Sequence, residues 1–277
     1  MKKIMSILAS AVLTVSSLSV ISASAVESNE LSITKTPVTA DTFADDGTVI
    51  PAGAVAINVN ITNNSGFDSS MIKIELGDNY DIINNINENP ALSVGSAMGE
   101  SRVAVSGNDT IAVVSASASE TSADGLLFTV FAYENATSDD DINVVDSEFS
   151  VCTEEDLVSP LSTRAAKKSY TIGDVDEDGY INSADASRVL RAISIHEDSC
   201  DRNCRNKEIL PVQEAKDNIL FYFPKTTFGP EAADVFKSGK IRKECADDIL
   251  GYYSCISSGK NYSDLYLGNV GETVIVD

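Results

Sequence analysis

Hydrophobic and polar residues alternate along short runs in the first half of the chain. The clearest run, AVAINVNIT at 54–62, places its apolar residues on one face: Val55, Ile57, Val59 and Ile61. Further apolar runs occur at 71–76, 110–118, 126–133, 142–145 and 148–151. Clusters of Gly, Asn, Asp and Ser separate these runs. Because a period of two is typical of strands with one buried face, the pattern predicts an all-β sandwich over residues 31–152.

The second half of the chain follows a helical period instead. The run ADASRVLRAIS, which starts at residue 184, places Val189, Leu190 and Ile193 on one helical face. The run QEAKDNILFYF at 213–223 indicates another helix. We find no long amphipathic pattern before residue 184. The fold class expected from periodicity is therefore a β-sandwich followed by a small all-α domain.

The chain begins with MKKIMSILASAVLTVSSLSVISASA, which has the order of charges and apolar residues of a signal peptide. Lys2 and Lys3 supply the basic start, and Ala23 and Ala25 frame a small-residue cleavage site. A membrane anchor is the alternative, and the cleavage site together with the modest apolar run disfavours it. We expect residues 1–25 to be removed and the protein to be secreted, reaching a cell-surface complex only through its partners.

Charge and cysteine content narrow the function classes further. The formal net charge is −22 at pH 7, which disfavours electrostatic binding to nucleic acid or to an anionic surface. The chain has five cysteines: Cys152, Cys200, Cys204, Cys245 and Cys255. An odd number leaves at least one thiol unpaired in a secreted protein. Free thiols, a local disulfide, and a zinc site made by His196, Cys200 and Cys204 at four-residue steps all remain open.

Residues 174–185, DVDEDGYINSAD, crowd carboxylates into one loop. Positions 1, 3, 5 and 12 of this twelve-residue loop are Asp174, Asp176, Asp178 and Asp185. Gly179 at position 6 permits a sharp turn, and Tyr180 at position 7 can offer its backbone carbonyl. Hard oxygen ligands at this spacing suit Ca²⁺ rather than Zn²⁺. We predict a calcium loop of the EF-hand type, with a solvated acidic turn as the alternative.

A weaker copy of this unit follows at an offset of 60 residues. Residues 239–253 align with 179–193, and Asp234 takes the place of Asp174. The other carboxylate positions of the second loop hold Phe236, Ser238 and Cys245. Since one carboxylate is too few for a tight calcium site, we predict one calcium ion per chain and a degenerate second loop around Asp234.

Two loop units, each followed by a helix but not preceded by one, resemble the dockerin family. The resemblance implies a dockerin over residues 170–262, with an insertion at 195–233 between its repeats, and a cohesin of a larger scaffoldin as its partner. It also implies a partner surface at the start of the exiting helix, made by Ser183, Ala184, Arg188 and Arg191. The sequence departs from the usual loop by having Asp instead of Glu at position 12.

The order of the strand patterns in the first half resembles a cohesin domain. The resemblance covers an early pair of strands, AVAINVNITNNSGFDSSMIKIEL, and a later pair of strands, TIAVVSASASETSADGLLFTVFAY. It implies a cohesin-like jelly roll over 31–152 that receives the dockerin of an enzyme or other component; its binding face cannot be mapped by residue. A carbohydrate-binding module is the rival, although the chain has no Trp to stack on sugar rings. A spacer domain is a third interpretation.

The combined hypothesis is a non-catalytic adaptor scaffoldin of a cellulosome. It comprises the signal peptide, the sandwich, a linker at 153–169, the calcium-binding dockerin and a tail at 263–277. The one histidine of the chain, His196, lies outside the predicted sandwich. The sandwich therefore has no histidine that could activate a nucleophile. The alternative hypothesis is a dockerin-borne carbohydrate-binding subunit that targets a complex to plant polysaccharide.

Overall fold

A computed structural model describes residues 29–107, 109–135, 142–151, 169–200, 206–260 and 268–276. The signal peptide expected at 1–25 and the linker expected at 153–169, except for Ser169, lie outside these described residues. Within the described part of the chain, no helix combines the length and the apolar character needed to cross a membrane.

Two larger antiparallel sheets and a two-stranded sheet form the first half of the protein. Its strands are β1 (Glu30–Pro37), β2 (Thr42–Phe43), β3 (Val49–Ile50), β4 (Val55–Thr62), β5 (Phe67–Leu76), β6 (Tyr80–Ile82), β7 (Leu92–Val94), β8 (Arg102–Gly107), β9 (Thr110–Thr121), β10 (Gly125–Glu134) and β11 (Ile142–Ser150). The back sheet has the order β1-β4-β10-β6, and β7 also pairs with β10. The front sheet has the order β11-β5-β9-β8, and β2 and β3 form the two-stranded sheet.

The core between the sheets confirms the predicted sandwich. The inward face of β4 is buried, and Ile57, Val59 and Ile61 have no exposed surface. Ile72 and Ile74 of β5 face the same core. The alternation pattern missed β1, β2, β3, β6, β7 and β8. Four of these strands, β2, β3, β6 and β7, are two or three residues long, which is too short for a period to register.

Strand β9 is buried on both of its faces. Ile111 and Val113 belong to the sandwich core, whereas Val114 and Ala116 point into a second apolar cluster on the outer side of the front sheet. Each of these four side chains has no exposed surface. The outer face of the front sheet is therefore covered by another part of the protein.

The second half supplies that cover. Its elements are β12 (Ser169–Thr171), α1 (Ser183–Ser199), β13 (Leu210–Pro211), α2 (Val212–Asp217), α3 (Ile219–Tyr222), α4 (Gly229–Ala233), β14 (Lys240–Ile241), α5 (Lys243–Ser257) and β15 (Thr273–Ile275). Helix α1 packs on β9 and β5, and α5 packs on β8, β9 and α1. The helix expected at 213–223 is present as α2 and α3, which are separated at Asn218.

The second half is mixed rather than purely helical. Strand β12 pairs with β15, and β13 pairs with β14. The first pairing joins the beginning of this half to the stretch expected as a tail at 263–277. The second brings Leu210, from the expected insertion at 195–233, opposite Ile241 of the second loop. Both short pairings join segments distant in sequence, so no local period announces them. We call residues 169–276 the helical half.

Candidate metal site and partner surfaces

The first loop gathers three of its aspartates. Asp174, Asp176 and Asp185 each place one carboxylate oxygen within 4.8 Å of the others. Gly179 allows this turn with a φ of 98°, a value that favours glycine. Three carboxylates without nitrogen or sulfur ligands suit a hard cation. The residues present therefore fit the calcium ion that the spacing predicts.

Asp185 connects the two ends of this loop. Its Oδ1 accepts hydrogen bonds from the Val175 and Asp176 amides, at 2.7 and 3.2 Å. Its Oδ2 accepts from the Asn182 amide at 2.9 Å. Burial, followed by the charge of Asp176, raises the pKa of Asp185 well above its ordinary value. A bound cation would offset that desolvation and repulsion.

Asp178 and Tyr180, the other two ligands expected from the spacing, lie at the exposed end of the loop. The Asp178 Oδ1 accepts a hydrogen bond from the Tyr180 amide at 2.7 Å. The Tyr180 side chain is 73% exposed. Asp178 is not part of the three-carboxylate cluster. A ligand role for these two residues remains a prediction.

Glu177 has a role that the ligand pattern does not predict. Its side chain is buried, and its Oε1 accepts hydrogen bonds from the amides of Thr227 and Phe228, the latter at 2.6 Å. These amides immediately precede α4. Glu177 therefore ties the first loop to the insertion. Position 4 carries no ligand in the calcium pattern, so the sequence offers no signal for this contact.

The second loop keeps the backbone of the first. Glu177 and Lys237, which are 60 residues apart, both have positive φ, at 60° and 51°. Gly179 and Gly239 repeat this agreement, at 98° and 72°. Helices α1 and α5 begin at the same 60-residue offset. The internal repeat read from the sequence is therefore also a repeat of structure.

The carboxylate of Asp234 is engaged within its own loop. Its Oδ1 accepts from the Ser238 amide and hydroxyl, at 3.0 and 3.1 Å, and its Oδ2 accepts from the Gly239 amide at 2.6 Å. Cys245 takes the place of Asp185, and burial raises the pKa of its thiol to about 11. Protein donors thus close this loop around one carboxylate, and the degenerate second site remains a prediction.

The expected partner surface of the helical half lies close to the protein's own sandwich. Ser183 is buried, and Ala184 is half-buried. Arg188 turns back to the loop, where its Nε lies 3.4 Å from Asp176 Oδ2. Arg191 lines a crevice of about 320 Å³ between α1 and the sandwich, together with Asp68 and Glu120. The start of α1 is therefore not an open face in this structure.

The cysteines fall into two groups. Cys200 is disulfide-bonded, whereas Cys245 and Cys255 are free and buried. Cys152 and Cys204 lie outside the described residues. A disulfide sulfur is not a thiolate ligand, so the zinc alternative at His196 loses Cys200. His196 is itself buried, with its Nδ1 at 3.1 Å from Glu214 Oε1.

The aromatic residues of the sandwich are mostly internal. Four of them are buried: Phe67, Tyr80, Phe128 and Phe131. Phe43 and Tyr133 are exposed, at 67% and 44%, on strands β2 and β10. Phe149 packs partly buried against the core, at 5.2 Å from the ring of Phe67. In the described part of the sandwich, two exposed aromatic residues are therefore available to stack on a sugar ring.

The chain was compared with family models, with curated proteins and with solved structures. No family model and no curated protein matches the chain. A non-cellulosomal cohesin from the hyperthermophilic archaeon Archaeoglobus fulgidus matches 36% of this chain at 16% identity, with a TM-score of 0.26. The match spans 65% of the length of that cohesin. At this level of similarity the neighbour carries no inference, and the sandwich rests on the chain's own strand order and burial.

Proposed function

We propose that the protein is a secreted, non-catalytic adaptor of a cellulosome. Its helical half acts as a calcium-binding dockerin that docks onto a cohesin of a larger scaffoldin. Its sandwich acts as a cohesin that receives the dockerin of an enzyme or other component. The adaptor thereby changes which component a given position of the scaffold accepts.

One observation carries this proposal: a repeated loop–helix unit presents its two helices side by side to the face of a β-sheet. The repeat is visible in the shared backbone angles of the two loops and in the matched starts of α1 and α5. Both helices pack against β9. Such a pair of helices is suited to protein recognition, and the front sheet is a surface that accepts it.

Calcium has a defined place in this proposal. Asp174 begins the first loop, and Asp185 lies in the first turn of α1. An ion held by both residues, together with Asp176, would fix α1 relative to the loop, because hard cations bind several carboxylate oxygens at once. Binding would stabilise the folded helical half by mass action.

The test is a binding panel against the full-length chain. Immobilised protein in calcium is exposed to a set of cohesins, a set of dockerins and insoluble plant polysaccharides. We expect a cohesin to bind the unchanged chain and not Asp174→Ala, and a dockerin to bind both. The Asp174→Ala variant is used instead of EDTA to remove calcium from the protein. EDTA would also remove calcium from the dockerins that are added as binding partners.

Each outcome of this panel distinguishes the candidate functions. Retention by polysaccharide alone would support the carbohydrate-binding alternative and contradict the adaptor. Failure to capture any cohesin or dockerin would also contradict it. Capture of a cohesin that is equally strong by Asp174→Ala would remove calcium from the mechanism.

A further inference from the structure

We propose that the outer face of the front sheet and the α1–α5 pair form a docking pair that closes within one chain. The closed protein caps both of its docking surfaces until a partner displaces one of them. This inference rests on the proposed function, because it treats both surfaces as docking surfaces. It adds a competition between the internal contact and every external partner.

Specific side-chain contacts join the two halves. The Ser187 hydroxyl on α1 donates to the Ser117 carbonyl on β9 at 2.7 Å, and this bond is buried. On α5, the Tyr253 hydroxyl donates to Glu148 Oε2 at 3.0 Å. The Cys255 Sγ on the same helix lies 3.7 Å from the Ser106 Oγ on β8, and both atoms are buried. These contacts reach β8, β9 and β11 of the front sheet.

A charge pair supports the same orientation. Residues 31–152 contain three basic residues, and two of them pair inside the sandwich: Lys35 with Glu134, and Lys73 with Asp146. The third, Arg102 on β8, pairs with Asp247 on α5. Both side chains are partly exposed, so the pair contributes orientation more than affinity. The described sandwich thus directs one of its few cations at the helical half.

The front sheet needs an occupant on this face. Met71, Val114 and Ala116 are buried there against the apolar cluster of the helical half. Without the helices these side chains would form an apolar strip on the surface of the sheet. Exposed apolar strips of this kind mark interaction sites in soluble proteins. The occupant that the structure supplies is the chain's own α1–α5 pair.

The two halves meet along one side of the helical half's apolar cluster. The sandwich core around Ile57 and Phe128 draws on described residues of the sandwich alone, whereas the cluster around Val189 and Ile249 also includes Met71, Val114 and Ala116 of the front sheet. Several of the side chains that meet between them are small: Ala116, Ser106, Ser117 and Ser187. Opening of the contact therefore leaves the sandwich core intact and removes only the three front-sheet members from the cluster of the helical half.

Two free cysteines allow this separation to be measured. Cys255 is buried against Ser106 of the sandwich, whereas Cys245 is buried in the second loop unit, beneath the start of α5. Opening of the contact exposes Cys255 alone, and unfolding of the helical half exposes both. Alkylation of the full-length chain in native buffer, followed by peptide mass mapping, reports the two rates separately.

Matched substitutions open the contact from either side. Ala116→Arg places a long cation on the covered face of β9, and Ser187→Arg places one on the opposing face of α1. Glu75→Arg is the control, because Glu75 is an exposed residue of β5. We expect both opening variants to accelerate Cys255 alkylation by about tenfold or more with Cys245 still protected, since local opening requires less free energy than unfolding. The control should match the unchanged chain.

A mixture of the two opening variants provides the decisive test. The Ala116→Arg chain keeps an intact helical surface, and the Ser187→Arg chain keeps an intact sheet surface. A docking pair predicts a one-to-one complex in the mixture by analytical ultracentrifugation, with each variant alone monomeric. Absence of this complex, protection of Cys255 in both variants, or exposure of Cys245 together with Cys255 would overturn the proposal. No external cohesin or dockerin is involved, so failure of the adaptor function is scored independently.

Discussion

At the scale of single residues, the buried carboxylates of the helical half are held by backbone amides. Asp185 accepts three of them in the first loop, and Asp234 accepts two in the second. Glu177 accepts two more from the insertion. These carboxylates therefore shape the loops in addition to any metal that they bind.

We predict that Glu177→Ala lowers the free energy of unfolding of the helical half by about 1–3 kcal/mol, because two part-buried backbone amides lose their shared acceptor. Glu177→Gln keeps an acceptor oxygen and should cost less. Glu208→Ala removes an exposed glutamate of the same half and should change stability by less than about 0.5 kcal/mol. Urea unfolding in excess calcium, followed by circular dichroism, measures all three. Equal effects of Glu177→Ala and Glu208→Ala would contradict the role given to Glu177.

The Glu177 contact also shows what the sequence could reveal of the site. Asp174, Asp176 and Asp185 were predictable, because their spacing within one loop determines their proximity. Glu177 meets amides 50 and 51 residues further along the chain. Its partners depend on where the insertion folds, and the insertion has no repeated pattern. Local spacing thus predicts ligands, and it does not predict the long-range contacts that support them.

At the scale of elements, the two helices begin differently. Asn182 caps α1 by accepting the Ala184 amide at 2.7 Å, and Asp185 completes a capping box. The corresponding cap of α5, Arg242, has no side-chain hydrogen bond to its helix. The second loop instead engages Asp234 with its own amides. The side-chain cap of α1 thus has no counterpart at α5, although the two loops share their backbone conformation.

We predict that Asn182→Ala destabilises the helical half by about 1 kcal/mol, because the first turn of α1 loses its side-chain acceptor. Asn182→Ser restores a capping oxygen and should recover most of the loss. The midpoint of urea unfolding at constant calcium measures the difference. If serine and alanine were equivalent at this position, the cap would not be stabilising.

The elements were predictable where their period is long enough. Residues 54–62 and 184–194 gave a strand and a helix whose apolar faces are buried. Strand β12 could not be predicted from the sequence pattern. Its three residues form a strand by pairing with β15, about a hundred residues further along the chain. Asn218 divides the helix expected at 213–223, because it adopts a non-helical conformation with φ −125° and ψ 38°.

At the scale of the whole molecule, the two halves face each other instead of lying apart. Sequence periodicity distinguished a strand-rich half from a helix-containing half, because a strand period and a helix period are distinct. It did not reveal their contact, although the consecutive apolar residues Ile111, Ala112, Val113 and Val114 are typical of a strand buried on both faces. The dockerin resemblance places the expected partner residues of α1 on an external surface. In the closed chain that helix covers the front sheet.

The most direct test of this account is a calcium titration of the full-length chain by calorimetry. Asp174→Ala and Asp234→Ala change position 1 of the two loops and form a matched pair. We predict one calcium ion per chain, lost in Asp174→Ala and retained in Asp234→Ala, because the second loop has Phe236, Ser238 and Cys245 where the first has Asp176, Asp178 and Asp185. Retention of binding in Asp174→Ala, or a second ion lost with Asp234, would contradict the assignment of the metal site.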